Sequence, residues 1–474
     1  QAFLMGMVSR DASIRHRFVE LFLQRLPPDL TSRFNVLLSS QTWGQYSHIF
    51  WIQPALDALL ALVGPEDALK LSPISSRVPP ISAPNGDPKC LHHLPPSAQA
   101  LVKEHMAFLE EIKNIKAQAL VQPLREVLFY DAEMSMQMWA SLFASLWDNH
   151  WNDNRREEVK NNIFSILSQD WILKQSRTNP NIVQALLHGL LACQVNRPVV
   201  PAHILKFVAG AFNSWHLSIR MFEEQLAATP PEEDPPVAVE QALADLYSRL
   251  GETDHYYGML YELALTEDSK AALILEQLGM WQRAQEVYYQ AMHHAHIGVI
   301  QNVPPREQEL WESHWIDCAK HLGQWDILLD YGKLNNMPEL IAEAAWKAGD
   351  WISLKEVFTK HAFSPDSLRM RIYQALMCLH ESKMAEVDTL LKQVINGAMA
   401  HWSSLPRVPC AAHVRILHQF QQTIELWEAA KNIKELAQHR LAKLPEIKKL
   451  INGNWRDRLL NEYDDITMWH DIME

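Results

Sequence analysis

At 474 residues the chain is too long for one ordinary hydrophobic core, because cores stop growing near roughly 250–300 residues and longer chains divide or become repeat arrays. Apolar residues make up 48% and charged residues 21%, the net charge of −13 argues against a whole-surface attraction to nucleic acid, and no run approaches the ~20 apolar residues a membrane-spanning helix needs. Glycine, at 15 residues or about 3% against a usual ~7%, is scarce enough to make tight β-turns rare.

Helical periodicity runs from end to end. In "RHRFVELFLQRL" (15–26) Phe18, Leu21, Phe22 and Leu26 fall on one stripe, and "FWIQPALDALLALV" (50–63) predicts an apolar helix with Pro54 near its start. Similar stripes recur over 98–130, 134–148, 158–174, 180–195 and 203–227, and no period-two alternation of useful length interrupts them. Two segments break the pattern. Residues 72–97 hold seven prolines and an Asn85-Gly86 turn and are expected to be a long exposed loop. "ATPPEEDPPVAVE" (228–240) is an acidic, Pro-rich linker. The expected organisation is helical repeats over 1–71 and 98–227, separated by the loop, then repeats of a second type over 241–474.

That second type is legible because one phrase recurs. "LGMWQRAQEVYYQ" (278–290), "LGQWDILLDYGKL" (322–334) and "AGDWISLKEVFTK" (348–360) each place a Gly two residues before a Trp, with a weaker copy around Gly251. Four residues before Gly279, Gly323 and Gly349 stand Leu275, Ala319 and Ala345; two after them stand Trp281, Trp325 and Trp351. Glycine can take positive φ where one helix ends and the next folds back. We expect the small residue one turn earlier to let the backbones approach, and the Trp to fill the wedge. A single hairpin cannot bury its apolar face alone, so the phrase repeats because hairpins stack. The spacing matches tetratricopeptide repeats only loosely. The expected fold is an all-α solenoid of tetratricopeptide/HEAT-like helical hairpins.

Catalytic chemistry leaves little trace. Neither GxGxxG nor GxxxxGK[ST] can be written anywhere, and GxSxG, HExxH, DFG and HRD are absent. His314, Cys318 and His321 fall at i, i+4 and i+7, the spacing of a three-ligand zinc face that would serve a hydrolase. Position 318 aligns with Ile274 and Ala344 in the sister copies, so core packing is the expectation there, with no metal and no cofactor. Trp43 and Trp51 are read as core for the same reason of spacing. The five cysteines, Cys90, Cys193, Cys318, Cys378 and Cys410, lie at least 32 residues apart, as expected of reduced thiols. One basic stretch stands out: Lys431, Lys434, Arg440, Lys443, Lys448, Lys449, Arg456 and Arg458 face only Glu435, Glu446 and Asp457. A solvated helix face is the simpler reading. The functional one is an acidic protein partner, with Lys443, Lys448, Lys449, Arg456 and Arg458 as the candidate contacts.

"RHRFVELFLQRLPPDLTSRFNVLLSSQTWGQYSHIFWIQPALDALL" resembles the opening of the FAT region of the phosphatidylinositol 3-kinase-related kinases. "LEQLGMWQRAQEVYYQAM" and "WIDCAKHLGQWDILLDYGKLNNMPELIAEAAWKAGDW" resemble the same region further along, and the wording is most similar to the pseudokinase branch of that family. The resemblance implies a non-catalytic, nuclear scaffold. Its partners would be the subunits of histone acetyltransferase coactivator complexes and transcriptional activators, with no membrane and no direct nucleic-acid binding. It also implies that the chain is a piece of something larger, with a kinase-like domain beyond Glu474. The alternative is a FAT region that clamps the catalytic domain of an active kinase of the same family.

Overall fold

The computed structural model describes residues 6, 9, 11–39, 50–64, 95–114, 116–228, 237–298, 303–364, 366–439, 445, 448–449, 453, 456–459 and 468–469. Among the described residues there are α-helices, one 3-10 helix and no β-strand, as the periodicity predicts. The chain divides into two compact units, residues 1–200 and 201–474.

The first unit contains α1 (Ala12–Leu23), α2 (Leu30–Leu37), α3 (Ile52–Leu60), α4 (Pro96–Asn114), α5 (Ala117–Tyr130), α6 (Ala132–Asn149), α7 (Asp153–Leu167), a 3-10 turn (Asp170–Arg177) and α8 (Ile182–Ala192). Its centre is α3, whose residues Ile52 to Leu59 are all buried, and an aromatic cluster of Phe34, Trp139, Phe143, Trp147 and Trp151 with ring centroids 4.9–6.2 Å apart. Buried charge is hydrogen-bonded here. Arg33 donates to the carbonyls of Pro27 and Ala58, both at 2.8 Å, and Asp57 pairs with Arg125. The apolar stripe expected over 15–26 is only partly rotated: Leu26 is buried and Phe18 and Phe22 are half-buried, while Leu21 is 53% exposed and Arg15 and Val19 face inward. The reason is Arg15 itself, which bonds the Ser9 carbonyl at 2.9 Å, pairs with Glu126 and lies 4.1 Å from the Phe129 ring centroid.

Three expected boundaries shift. The Pro-rich stretch lies outside the described residues up to Leu94, and Pro96 and Ser97 already open α4, where proline's fixed φ suits a first helical turn. The 98–130 stripe is two helices, and Trp43 lies outside the described residues. Residues 229–236 of the acidic linker are likewise outside, while Val237 begins a helix.

The second unit is a run of helical hairpins: α9 (Ala202–Ala211) with α10 (Trp215–Ala228), α11 (Val237–Leu250) with α12 (Thr253–Leu263), α13 (Glu267–Gln277) with α14 (Trp281–His296), α15 (Pro305–His321) with α16 (Trp325–Leu334), α17 (Pro338–Ala348) with α18 (Trp351–Lys360), and α19 (Leu368–His380) with α20 (Met384–Ser404), followed by α21 (Ala411–His439). Within this unit the run curls back on itself. Trp215 Nε1 donates to the Ser404 carbonyl at 2.7 Å, Arg415 reaches the Ser248 carbonyl at 3.4 Å, and a Cβ on Gly251 would stand 2.7 Å from that of Ala411.

Candidate functional site

The geometry of the second unit is set at its turns. Gly251, Gly279, Gly323 and Gly349 have φ of +79, +72, +67 and +71°, a conformation that costs other L-residues roughly 1–2 kcal/mol. The next residue's N–H then reaches back to the carbonyl four positions before the glycine: Glu252 to Tyr247 at 3.0 Å, Met280 to Leu275 at 2.9 Å, Gln324 to Ala319 at 3.0 Å and Asp350 to Ala345 at 2.8 Å. These are Schellman closures, and they satisfy carbonyls that a helix end leaves open. Ala319 and Ala345 are fully buried beneath their turns; Leu275 is half-buried.

Two more hairpins use the same closure without glycine. Asn213 (φ +52°) and Ser382 (φ +61°) take its place, with Ser214 donating to Ala209 at 3.0 Å and Lys383 to Cys378 at 2.8 Å. Asn336, between hairpins, does the same with Met337 to Gly332 at 2.9 Å. The phrase "FNSW" at 212–215 even keeps the Trp two residues on.

The repeated tryptophans pack against the cores of their own hairpins without being fully enclosed by them. The fully buried positions are Ala284, Leu328 and Leu354, which lie one turn further along. Trp281, Trp325 and Trp351 start the second helix, stay half-buried, and cover the residue two positions before the next turn. Trp281 stacks on His321 with centroids 3.9 Å apart, Trp351 stacks on His380 at 4.3 Å, and the ammonium of Lys347 sits 5.9 Å from the ring of Trp325. Trp215 does the same with the guanidinium of Arg249 at 4.8 Å. Aromatic faces attract cations and imidazoles in this geometry, so the hairpins are joined by a ladder of aromatic rungs.

His314, Cys318 and His321 do not converge. His314 is 6% exposed and holds Glu276 Oε2 2.8 Å from its Nδ1. Cys318 is fully buried in an apolar cluster with Trp311 and Tyr288, and its thiol is pushed up by burial and then by Glu276. His321 lies against Trp281. Ile274, aligned with Cys318 by spacing, is 45% exposed. In that copy the inward face is Ala272, Leu273 and Glu276, because Glu276 turns in to meet His314 and the Tyr288 hydroxyl, which donates to it at 3.0 Å. Burial, then Glu276, also pushes the Tyr257 and Tyr288 hydroxyls up. Glu307 is a second buried carboxylate, accepting from the N–H groups of Leu265 and Thr266 at 3.2 Å and from the Ser269 hydroxyl at 2.6 Å. It thereby closes the start of α13 from a neighbouring helix.

In the basic stretch Lys443 lies outside the described residues. Lys448 and Lys449 are exposed, and Arg456 is beside Asp457 at 3.6 Å. Arg458 departs from the expectation of a free cation: its guanidinium makes two hydrogen bonds with Glu428, at 2.8 and 2.9 Å, and its carbonyl accepts from Gln421. It fastens its segment to α21.

Stacked helical hairpins define a helical-repeat protein, and among the described residues no three His, Cys, Asp or Glu side chains are grouped to hold a metal ion. Residues 1–193 match the family model of the Tra1 HEAT repeat ring region, and residues 338–474 match that of the FAT domain. The opening segment that resembles the start of a FAT region thus falls in the ring match. The chain is 29% identical over 99% of its length to the SAGA complex/NuA4 acetyltransferase complex subunit Tra1 of Schizosaccharomyces pombe. It is 28% identical over its whole length to the subunit TRA1 of Saccharomyces cerevisiae, and 24% identical over 99% to the human transformation/transcription domain-associated protein. The similarity to these relatives runs the length of the chain, which spans 13–14% of their own length.

Proposed function

We propose that this chain is a non-catalytic scaffold segment of a nuclear transcription coactivator, holding subunits of a histone acetyltransferase complex and receiving activators. The observation that supports this most is that relatives matched over 99–100% of the chain are named as subunits of SAGA and NuA4 complexes. A stacked array of hairpins suits the role, since it offers an extended, rigid surface along which other proteins can lie. The exposed cations Lys448 and Lys449, with Lys431, Lys434 and Lys443 nearby in sequence, are proposed to steer an acidic partner segment in a chain that is otherwise acidic.

The test is recovery of partners from nuclear extract by the tagged full chain and by its K443E/K448E/K449E variant, at two salt concentrations, with circular dichroism as the folding control. Wild type is expected to retain acetyltransferase-complex subunits. The variant loses at least one, by a margin that shrinks as salt rises, because exposed charges are screened over a Debye length of about 8 Å at physiological ionic strength. Recovery of no complex subunit by wild type would overturn the scaffold reading, and identical recovery by both proteins would overturn the role of the basic stretch.

A further inference from the structure

The ladder of aromatic rungs has one exception. Between the turns at Gly251 and Gly279 the two rung positions are Thr253 and Gln277, neither aromatic nor cationic. Both line a groove of about 650 Å³ that opens at this seam and continues past Trp281 and His321 to Glu343 and Arg369. The space follows from the sequence: where every neighbouring seam places a tryptophan over a cation or imidazole, this one places two smaller, uncharged side chains.

We propose that this groove is the docking site for a lysine- or arginine-bearing segment of a partner protein, its cationic side chain lying against Tyr256 between the carboxylates of Asp254 and Asp317. This deepens the scaffold reading and rests on it, by naming the chemistry of one partner. Charge complementarity supports it. Asp254 and Asp317 are exposed on the groove wall, and the buried carboxylate of Glu276 lies among the lining groups. Of the cations on the lining, Lys320 pairs with Glu343 at 3.2 Å and only loosely with Asp317 at 3.6 Å, Arg369 pairs with Glu343, and Arg415 donates to the Ser248 carbonyl at 3.4 Å, which leaves the Asp254 carboxylate and the exposed side of Asp317 to a partner. The Tyr256 hydroxyl reports the local field. Burial first, and then the carboxylates of Asp317, Glu276 and Asp245, push it up to about 12. An aromatic wall beside carboxylates is the chemistry that holds an ammonium or guanidinium group, and it supplies from a partner the cation that the chain's own sequence supplies at the Trp215, Trp325 and comparable seams.

The test uses fluorescein-labelled hexa-arginine and hexaglutamate as probes of the full chain by fluorescence anisotropy. Three variants are compared with wild type: D254N/D317N in the groove, E286Q/D326N as an equal charge change outside its lining, and T253W, which fills the seam with the missing ring. Hexa-arginine is expected to bind wild type, to bind D254N/D317N roughly tenfold more weakly, to be unaffected by E286Q/D326N, and to be excluded by T253W while helicity is retained. Hexaglutamate should not compete. Equal weakening by both double variants would mean only non-specific attraction to an acidic chain and would overturn the proposal, as would wild-type affinity in D254N/D317N or effective competition by hexaglutamate. Recovery of acetyltransferase-complex subunits is scored separately with T253W. Loss of one partner with the rest retained supports the groove, and recovery of every partner overturns it; failure of wild type to bind hexa-arginine likewise overturns the groove and leaves the scaffold reading to stand on its own recovery experiment.

Discussion

Replacing Gly251 with alanine should cost more than the same change at Gly349, and the difference isolates one contact. Both glycines have φ near +70 to +80°, so each alanine meets a backbone penalty of roughly 1–2 kcal/mol. At Gly349 nothing lies within 4 Å of the added Cβ, and that penalty is the whole cost. At Gly251 the new Cβ would stand 2.7 Å from Ala411 Cβ and 3.3 Å from the backbone of Ala411 and Ala412. Backbone cannot swing aside as a flexible side chain does, so overpacking adds about 1–3 kcal/mol. A 474-residue chain of two compact units need not unfold in one step, and the suitable assay is native-state hydrogen exchange, read on the amides of α11, α12 and the start of α21. G251A should lower their opening free energy by about 2–5 kcal/mol, while G349A lowers that of α17 and α18 by about 1–2 kcal/mol. Equal losses at the two sites would refute the argument that the array folds back onto the Gly251 turn.

Four further outcomes follow from the same geometry. Ser382 holds the turn conformation without glycine, so S382G should protect α19 and α20 by up to about 1 kcal/mol more; a loss would mean the serine is not strained. W325A should cost about 1–2 kcal/mol because the ring is half-buried, against about 3–5 kcal/mol for W311A, whose ring is fully buried; reversed ranking in hydrogen exchange would contradict the ladder. H314A leaves the buried carboxylate of Glu276 without its imidazole partner, and should destabilise α13–α15 by about 3–5 kcal/mol, with a smaller loss in H314A/E276L. Glu381 accepts hydrogen bonds from Lys355 and Lys383, which hold its pKa at about 2, below the ordinary 4.5. Its contribution is present above pH 4.5 and is lost as pH falls from there toward 2. Acid titration of E381Q should therefore lack that part of the stability loss, and superimposable curves would show the pairs contribute nothing.

Much of the second unit is legible in the sequence because its turn conformation favours one residue type. Gly251, Gly279, Gly323 and Gly349 declare positive φ, and the Trp that follows three of them marks the copies. Asn213 and Asn336 carry a weaker form of that signal, since asparagine tolerates the left-handed region; Ser382 carries none. The ladder's residues were all visible, yet the pairing of Trp281 with His321 joins two copies and exists only once hairpins stack. Glu276 was beyond reach for another reason. A glutamate is almost never fully buried unless paired, and its partners Tyr288 and His314 lie on two different helices, 12 and 38 residues away. The rotation of α1 has the same origin: Arg15 is drawn inward by Glu126, 111 residues distant. Periodicity reads the apolar face of a helix, and a long-range ion pair can turn that face.

The scaffold role is tested most directly by cross-linking mass spectrometry on the native assembly isolated through this protein, using a lysine-reactive reagent. Lys431, Lys434, Lys448 and Lys449, all exposed, should form cross-links to other subunits of a histone acetyltransferase complex. Cross-links confined to this protein's own chain, in preparations where those subunits are present and cross-link to one another, would contradict it.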